Sequence, residues 1–284
     1  MVDNYNFNIQ INNDKHIHFI EGIPGSGKST VLISLPDTSL YNRYFEHELS
    51  TVIDVTRKAF LTTKQYEKFI SDVTPLCKRV YGSNDYLYGV NKIHNNMIEL
   101  CGYKIIALET LGFTDKHLNK KMEELSAYEI SGQRVPLDKY FMILKSLFDD
   151  FLLRFDNDMY HFFEGALLQN ILFDLVGAYQ LTDEQIFEFY DNLIEYHYKN
   201  LFEVDLLCVD NIENIIKKAA RERVNNSPLW IDSFIYCIEK SPYGNSRGLT
   251  GINGVIEFCS NLQKQMIKVC KANNFDYKII YRRM

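Results

Sequence analysis

A glycine-rich run near the start of the chain has the residue types and spacing that bind a polyphosphate. It follows an apolar segment, residues 16–21, that is typical of a strand, and it reads Gly22-Ile23-Pro24-Gly25-Ser26-Gly27-Lys28-Ser29-Thr30. A glycine, four residues and then Gly-Lys-Ser is the pattern of a loop that leads from a strand into a helix and surrounds phosphate oxygens with backbone N–H groups. The pattern predicts that residues 22–30 bind a nucleoside triphosphate.

Each residue type in this run has a physical reason. Glycines permit the backbone to turn its N–H groups inward and to approach the phosphates closely. The helix predicted to begin at Lys28 favours an anion at its N-terminus, and the Lys28 ammonium adds a positive charge for the β- and γ-phosphates. The Ser29 hydroxyl is an oxygen ligand of the kind that Mg²⁺ prefers. ATP and Mg²⁺ are therefore the expected cofactors; the alternative is a chance glycine-rich turn before a helix.

Three carboxylates follow the second predicted strand, residues 40–45. They are Glu46, Glu48 and Asp54. A carboxylate within hydrogen-bond reach of a substrate hydroxyl can orient that hydroxyl or remove its proton. These three residues are therefore the candidates for a base that serves a phosphate acceptor.

A fourth carboxylate, Glu164, follows the apolar run at residues 159–163. Ligands of open parallel sheets bind outside the carboxyl ends of the strands, so we expect Glu164 to face the same crevice as Lys28. There it would hold a magnesium-bound water or orient a substrate group. The alternative is that Glu164 caps the N-terminus of the helix predicted over residues 167–179.

Two arginines lie near the end of a helix predicted over residues 212–223. Arg221 and Arg223 could swing over a triphosphate and neutralise charge on the transferring phosphoryl group, as parts of a lid-like region over residues 221–254. A glycine-rich loop predicted over residues 241–254 could also contact the ligand. The alternative is simpler, because cations favour a helix C-terminus and glycine-rich loops are often only turns.

The composition is that of a folded enzyme with a large core. The chain has 284 residues, of which 46% are hydrophobic, and a net charge of −6. It has no run of 18 apolar residues, and the polar residues 1–15 lack the pattern of a secretory signal, so we expect a cytoplasmic protein without a membrane partner. The chain has no Lys/Arg-rich run, so we expect no nucleic-acid partner. The six cysteines lack metal-binding spacing and are expected to be reduced thiols.

Predicted strands alternate with helices, which is typical of an α/β fold with a parallel sheet and right-handed crossovers. The strands are residues 16–21, 40–45, 159–163, 204–209 and 275–281. Residues 55–154, between the second and third of these strands, form a mainly helical insertion with a weak strand at 103–108. The insertion would either wall an acceptor pocket against water or only stabilise the domain.

Local signals place several helices in the insertion. Thr62 or Thr63 is expected to cap a helix that ends at Asp72, and another helix is predicted over residues 91–100. Pro136 suits the first turn of a helix with an apolar stripe that faces the core, formed by Tyr140, Phe141, Leu144, Leu147, Phe148, Phe151 and Leu152.

Later helices have their own signals. Thr182 and Gln185 form a capping box ahead of a helix that is predicted to reach Leu201. Ser227-Pro228 is expected to begin a helix that carries the single tryptophan, Trp230, as a packing anchor. The last helix is predicted over residues 257–273.

Two other nucleotide-binding classes lack their motifs here. Residues 174–177 read Asp-Leu-Val-Gly, but this DxxG lies in a predicted helix, and residues 91–94, Asn-Lys-Ile-His, lack the aspartate of the guanine-reading NKxD. Guanine specificity is therefore unsupported. The apolar run before Glu164 ends in Glu-Gly and lacks the Asp-Glu that is common in motor and AAA-type ATPases.

The chain resembles the small-molecule P-loop kinases, broadly the nucleoside and nucleotide kinases such as the thymidylate and uridine kinases. The resemblance rests on residues 19–30, on Phe163-Glu164-Gly165, and on the strand over 204–210 with its following helix that ends Arg221-Glu222-Arg223. A narrower likeness, to uncharacterised bacterial thymidylate-kinase-like P-loop proteins, rests on the inserted region, on Leu168-Gln169-Asn170 and on the glycines of residues 243–254. The resemblance to the P-loop kinases implies a single three-layer P-loop NTPase domain over residues 1–284, with the strand order of those kinases.

These observations together predict an ATP-dependent phosphotransferase that acts on a small-molecule acceptor, a nucleoside or nucleotide if the resemblance holds. Lys28 and Ser29 would hold the donor with Mg²⁺, and Glu164 would complete the magnesium site. The alternatives are an ATP-hydrolysing switch that acts on a protein partner and a nucleotide-binding protein without turnover. The sequence leaves the acceptor, the preference for ATP over GTP and the oligomeric state open, with a homodimer as one alternative.

Overall fold

The chain folds into two compact units, each described here by itself. A computed structural model describes residues 14–108, 111–223 and 229–282. The first unit comprises residues 1–45 and 155–284, and the second comprises residues 46–154. Among the described residues, no helix has both the length and the apolar character that a membrane crossing requires.

Eight strands are present in the described residues. In chain order, β1 to β8 are Ile17–Glu21, Tyr41–Tyr44, Lys58–Leu61, Met97–Leu100, Tyr103–Ala107, Tyr160–Glu164, Phe202–Val209 and Tyr277–Arg282.

Eleven α-helices are described. In chain order, α1 to α11 are Lys28–Ser34, Thr63–Tyr81, Tyr86–Asn95, Lys116–Glu123, Leu137–Arg154, Gln169–Leu172, Asp183–Leu193, Ile212–Arg223, Trp230–Lys240, Pro242–Arg247 and Gly251–Ala272. A π-helical stretch, Phe173–Ala178, continues α6, and 3₁₀ turns are formed by Glu124–Tyr128 and Tyr196–Asn200.

The first unit contains a five-stranded sheet in which all strands are parallel. Its order is β2-β6-β1-β7-β8. The predicted α/β fold with a parallel sheet is therefore confirmed at this level. Strand β1 lies in the centre, and because parallel strands end at the same edge, the glycine-rich run begins beside the ends of β6 and β7.

Both faces of this sheet are apolar near its centre. On one face Ile20, Phe162 and Leu207 pack against Val31 and Leu32 of α1. On the other face the ring of Phe19 stacks on Phe163 and meets Phe202 edge-on, with centroid distances of 5.5 and 5.3 Å. Strands that are buried on both faces read as continuous apolar runs, which explains why these strands could be recognised in the sequence.

The second unit contains a small antiparallel sheet, in the order β3-β5-β4, packed with helices α2, α3 and α4. The predicted strand at residues 103–108 is confirmed as β5. The helix predicted over residues 91–100 is wrong in its second half, because α3 ends at Asn95 and the chain enters β4. A two-residue turn at Cys101 and Gly102, with φ of 50° and 78°, then pairs β4 with β5, as in a type I′ hairpin.

Other helix boundaries also differ from prediction. Thr62 caps α2, but this helix continues through Pro75 to Tyr81 and does not stop at Asp72. Helix α7 ends at Leu193 rather than at Leu201, and 3₁₀ turn Tyr196–Asn200 follows it. The apolar stripe of α5 is buried as predicted, although Phe141 is only half-buried.

The glycine-rich loop predicted over residues 241–254 is mostly helical, so that prediction was wrong. The Ser241 hydroxyl accepts a hydrogen bond from the Gly244 N–H, and Pro242 occupies the first turn of α10. Gly248, in the left-handed conformation, ends this helix, and α11 begins three residues later. The glycines and proline therefore mark helix ends. The predicted helix start at Ser227-Pro228 lies outside the described residues.

The two threonines that precede α7 and α11 form a matched test of helix capping. The Thr182 hydroxyl accepts a hydrogen bond from the Gln185 N–H in the predicted capping box, whereas Thr250 makes no side-chain cap bond. We expect Thr182→Ala to lower the free energy of unfolding by about 1 kcal/mol and Thr250→Ala by less than about half of that. Urea unfolding of both variants measures the difference. Equal losses would contradict the assignment of the cap.

Candidate functional site

The glycine-rich loop has a backbone that only glycine adopts easily. Gly22, Gly25 and Gly27 have φ of 149°, 85° and 105°. A Cβ atom on Gly22 would lie 2.6 Å from the Leu207 carbonyl oxygen, and one on Gly25 would lie 2.9 Å from the Ala219 Cβ. The loop is thus pressed against the end of β7 and against α8, and a side chain at either position would push it away.

Lys28, the first residue of α1, is buried against the segment that follows β6. Its side chain is largely buried, with 4% of the residue exposed, and its Nζ donates a hydrogen bond of 2.6 Å to Gln169 Oε1. Gln169 begins α6. The ammonium is therefore positioned by an amide from the neighbouring strand-to-helix connection.

Ser29 and Glu164 meet beside this lysine. The Ser29 hydroxyl donates a hydrogen bond of 2.5 Å to Glu164 Oε1. Glu164 is the last residue of β6 and pairs with Ile20 of β1, so its carboxylate lies at the carboxyl end of the strand beside β1, and Ser29 reaches it from the first turn of α1. The structure brings Glu164 to the glycine-rich loop, where its carboxylate and the serine hydroxyl form a pair of oxygen atoms.

The alternative role of Glu164, a cap on the next helix, belongs to another carboxylate. Glu21, the last residue of β1, accepts hydrogen bonds of 2.8 Å from the backbone N–H groups of Leu167 and Gln169. Because alternate residues of a strand face opposite ways, Glu21 projects from the face opposite to Ile20, and the in-register Glu164 projects from the same face as Ile20. Two carboxylates thus bracket the loop from the two faces of the sheet.

Glu21 is fully buried, and its environment changes its acidity. Burial raises the pKa of the Glu21 carboxyl to about 7, although the backbone N–H groups of residues 167–169 and the charge of Lys28 act in the opposite direction. Neither Glu21 nor Gln169 was predicted from the sequence to have a role. A charged residue at the end of an apolar strand, directly before the glycine-rich run, was the signal that could have identified Glu21.

The predicted lid arginines lie at the end of α8. Arg221 is exposed, and the Arg223 guanidinium lies 4.3 Å from the centre of the Trp230 ring. Trp230 therefore packs with an arginine at the start of α9. Within the described ranges, neither arginine forms a hydrogen bond or ion pair with residues 22–29, and residues 224–228 of the predicted lid region lie outside the described residues.

The candidate acceptor carboxylates belong to the second unit. Asp54 is buried, and its carboxylate accepts hydrogen bonds from the His47 N–H at 2.8 Å and from the Thr56 hydroxyl at 2.6 Å. These bonds make Asp54 part of the internal structure of its loop. Glu46 is half-buried and Glu48 is exposed, so these two side chains are more accessible to a ligand.

Comparison of the chain with protein-family models, with curated proteins and with solved structures found no match. The function has to be argued from the chemistry of the site itself.

The loop geometry predicts a large cost for a side chain at Gly22. Gly22→Ala introduces a Cβ that is both strained by its φ and too close to two oxygen atoms, those of Leu207 and Ser26. We expect a loss of about 2 to 4 kcal/mol in the free energy of unfolding. Gly248→Ala is the matched control, because its φ is 63° but a Cβ there meets no atom within 4 Å, and it should cost about 1 kcal/mol. Urea unfolding compares the two, and an equal cost would contradict the close approach.

The buried Glu21 predicts a specific dependence of stability on pH. Because its pKa is about 7 in the folded chain and 4.5 without burial, the folded state holds the proton that the unfolded state has released. Stability from this group is complete below pH 4.5 and is lost as pH rises to about 7, by about 3 kcal/mol in total.

Glu21→Gln cannot titrate, so its free energy of unfolding should lack this decline between pH 4.5 and 7. Glu188→Gln, which removes an exposed carboxylate from α7, is the control and should keep the decline. The same slope in Glu21→Gln and in the unaltered chain would show that Glu21 does not retain its proton.

Proposed function

We propose that the chain is a phosphotransferase of the P-loop kinase class, which transfers a phosphoryl group from Mg·ATP to a small-molecule acceptor. The acceptor class suggested by the sequence resemblance is a nucleoside or nucleotide. The observation that carries the proposal is the 2.5 Å contact of Ser29 with Glu164 beside the buried Lys28.

The residues present fit a magnesium-bound nucleotide. Mg²⁺ prefers oxygen ligands, and the Ser29 hydroxyl and the Glu164 carboxylate place two oxygen atoms together at the edge of the sheet. In the glycine-rich loop, the positive φ angles of the glycines are of the kind with which a loop turns backbone N–H groups toward an anion. The sheet order is also compatible with this class. The loop follows β1, the central strand, which has β6 on one side and β7 on the other.

When bound, Mg·ATP would supply the phosphoryl group and a dication at this edge. Ser29 and Glu164 would hold the cation, directly or through water. Lys28 would neutralise charge on the phosphates from a side chain whose direction is set by Gln169. Glu21 would keep residues 167–169 in place, and so would fix the position of Gln169.

Phosphoryl transfer requires positioning and charge neutralisation more than covalent chemistry from the protein. The donor half of such a site is accounted for by residues 21–29, 164 and 169. For the acceptor half, Glu46 and Glu48 remain the candidate bases that the sequence predicts. Arg221 and Arg223 remain the predicted lid residues. The hydrogen bonds of Asp54 within its own loop disfavour it as the base.

The proposal predicts a phosphorylated small molecule. Incubating the protein with Mg·ATP and a pool of nucleosides, nucleotides, sugars and cell metabolites should give one compound that gains a phosphate, detected by mass spectrometry. Lys28→Ala should lower the rate by about 10²- to 10³-fold, because a preorganised charge at the phosphates is lost. Lys217→Ala, which removes a half-exposed lysine of α8, is the control and should keep the activity.

The other outcomes separate the rival functions. If ADP forms without a phosphorylated product, the chain is an ATP-hydrolysing switch and not a kinase. Bound ATP without ADP would indicate a nucleotide-binding protein. Absence of nucleotide binding in the unaltered chain would overturn the proposal entirely.

A further inference from the structure

Three polar side chains are buried together on β1 and β7, on the sheet face opposite to Glu21. His18 lies on β1, and Glu203 and Asp205 lie on the neighbouring strand β7, where Glu203 is opposite His18 and Asp205 is opposite Ile20. Alternate residues of paired strands share a face, so the three side chains project from the same face of the sheet. Their exposed fractions are only 0%, 1% and 0%.

Three ligand-type atoms converge in this cluster. His18 Nδ1 lies 3.7 Å from Asp205 Oδ2 and 3.8 Å from Glu203 Oε2, and the three atoms lie within 4.8 Å of one another. These distances are too long for hydrogen bonds. Within the part of the chain that the structure describes, His18 Nδ1 and both carboxylate oxygens of Asp205 have no hydrogen-bond partner. Burying polar atoms without a hydrogen-bond partner costs free energy, and a further group that binds all three side chains would offset that cost.

The imidazole ring is held so that Nδ1 faces the carboxylates. Its Nε2 lies 3.1 Å from the Lys15 carbonyl oxygen, and the ring stacks on Phe162 at a centroid distance of 4.8 Å. A carbonyl oxygen only accepts hydrogen bonds, so Nε2 is the donor in this contact, and Nδ1 is the ring nitrogen that faces the carboxylates. Histidines that bind metals have this arrangement, in which the second nitrogen donates to a backbone carbonyl or carboxylate.

We propose that His18, Glu203 and Asp205 bind a divalent transition-metal ion, and that Zn²⁺ is its occupant. With Zn–ligand distances of about 2.0 to 2.2 Å, neighbouring ligand atoms in a tetrahedral site lie roughly 3.4 Å apart. The two distances from His18 Nδ1 reach this value after side-chain shifts of a few tenths of an ångström, and the ion would also have to draw together the two carboxylates, whose oxygens are within 4.8 Å of each other. An imidazole nitrogen favours Zn²⁺ over Mg²⁺ or Ca²⁺, which prefer oxygen.

Charge and support from neighbouring residues agree with a cation at this position. Two carboxylates buried side by side repel each other; Lys278 pairs with Glu203, whereas the Asp205 oxygens have no hydrogen-bond partner among the described residues, and a dication there would offset the remaining negative charge. Lys278 of β8 donates a hydrogen bond of 2.7 Å to Glu203 Oε2 and orients that carboxylate. The ion would join β1 to β7, the strand pair beside which the glycine-rich loop begins. The inference is independent of the proposed phosphotransfer.

Metal binding is tested on the full chain after treatment with EDTA and dialysis. Titration with Zn²⁺ in a calorimeter should show one equivalent bound. At about 100-fold excess of free Zn²⁺ over Kd, the melting temperature should rise by roughly 5 to 10 °C. His18→Ala and Asp205→Asn should each weaken binding at least about 100-fold, whereas Lys28→Ala should bind Zn²⁺ normally.

Thiols also bind Zn²⁺, and Cys101 and Cys237 are exposed. Co²⁺ separates the two kinds of site, because cysteine ligation adds intense sulfur-to-cobalt charge-transfer absorption that an imidazole and two carboxylates lack. X-ray absorption of the zinc-loaded chain, which needs no variant, should show nitrogen and oxygen ligands without sulfur. The double variant Cys101→Ser/Cys237→Ser should still bind one equivalent of Zn²⁺.

Three results would each overturn the proposal. They are the absence of stoichiometric Zn²⁺ binding by the unaltered chain, sulfur in the ligand shell, and undiminished binding by folded Asp205→Asn, which retains the size of the aspartate. The cluster would then be a buried polar network without a metal ion.

Discussion

The carboxylate of Glu21 joins the end of β1 to the segment that follows β6, and the candidate site depends on this contact. Its two oxygens accept hydrogen bonds from the N–H groups of Leu167 and Gln169. These hydrogen bonds hold the start of α6. Gln169 Oε1 in turn accepts a hydrogen bond from the Lys28 ammonium. Without Glu21, the N–H groups of this buried connection would need other partners. One residue of the central strand thus sets the position of the loop's lysine from the opposite face of the sheet.

The central strand carries costly polar groups at both ends. Glu21 and His18 are both buried, and an apolar strand would avoid the free energy that their desolvation costs. Each is compensated differently. Glu21 is surrounded by backbone N–H donors, whereas His18 faces two carboxylates without hydrogen-bonding to them. Groups that are buried at such a cost are expected at positions of function.

Much of the first unit could be predicted from the sequence. The inner strands β6, β1 and β7 are buried on both faces and appear as largely apolar runs. They and the half-buried edge strands β2 and β8 were recognised with ends correct to within one or two residues. The pattern of residues 22–29 and the Glu164-Gly165 pair at the end of β6 predicted which side chains meet at the sheet edge. Glu21 and Gln169 escaped prediction because their roles depend on hydrogen bonds between segments that are about 150 residues apart.

Other features could not be read locally. The cluster of His18, Glu203 and Asp205 depends on the register of β1 with β7, which no motif in either strand specifies. Strand β4 was mistaken for the continuation of a helix, because its partner β5 and the turn between them decide its conformation. In residues 241–254 the glycines were taken for a loop, although they end one helix and begin the next.

The most direct test of the account is a crystal structure of the chain with Mg²⁺ and a non-hydrolysable ATP analogue. We expect backbone N–H groups of residues 22–28 to surround the phosphates, Lys28 Nζ to leave Gln169 and contact them, and Ser29 Oγ to ligate Mg²⁺ with Glu164 beside it. A nucleotide bound elsewhere, or Ser29 still hydrogen-bonded to Glu164 with no cation near it, would contradict the account.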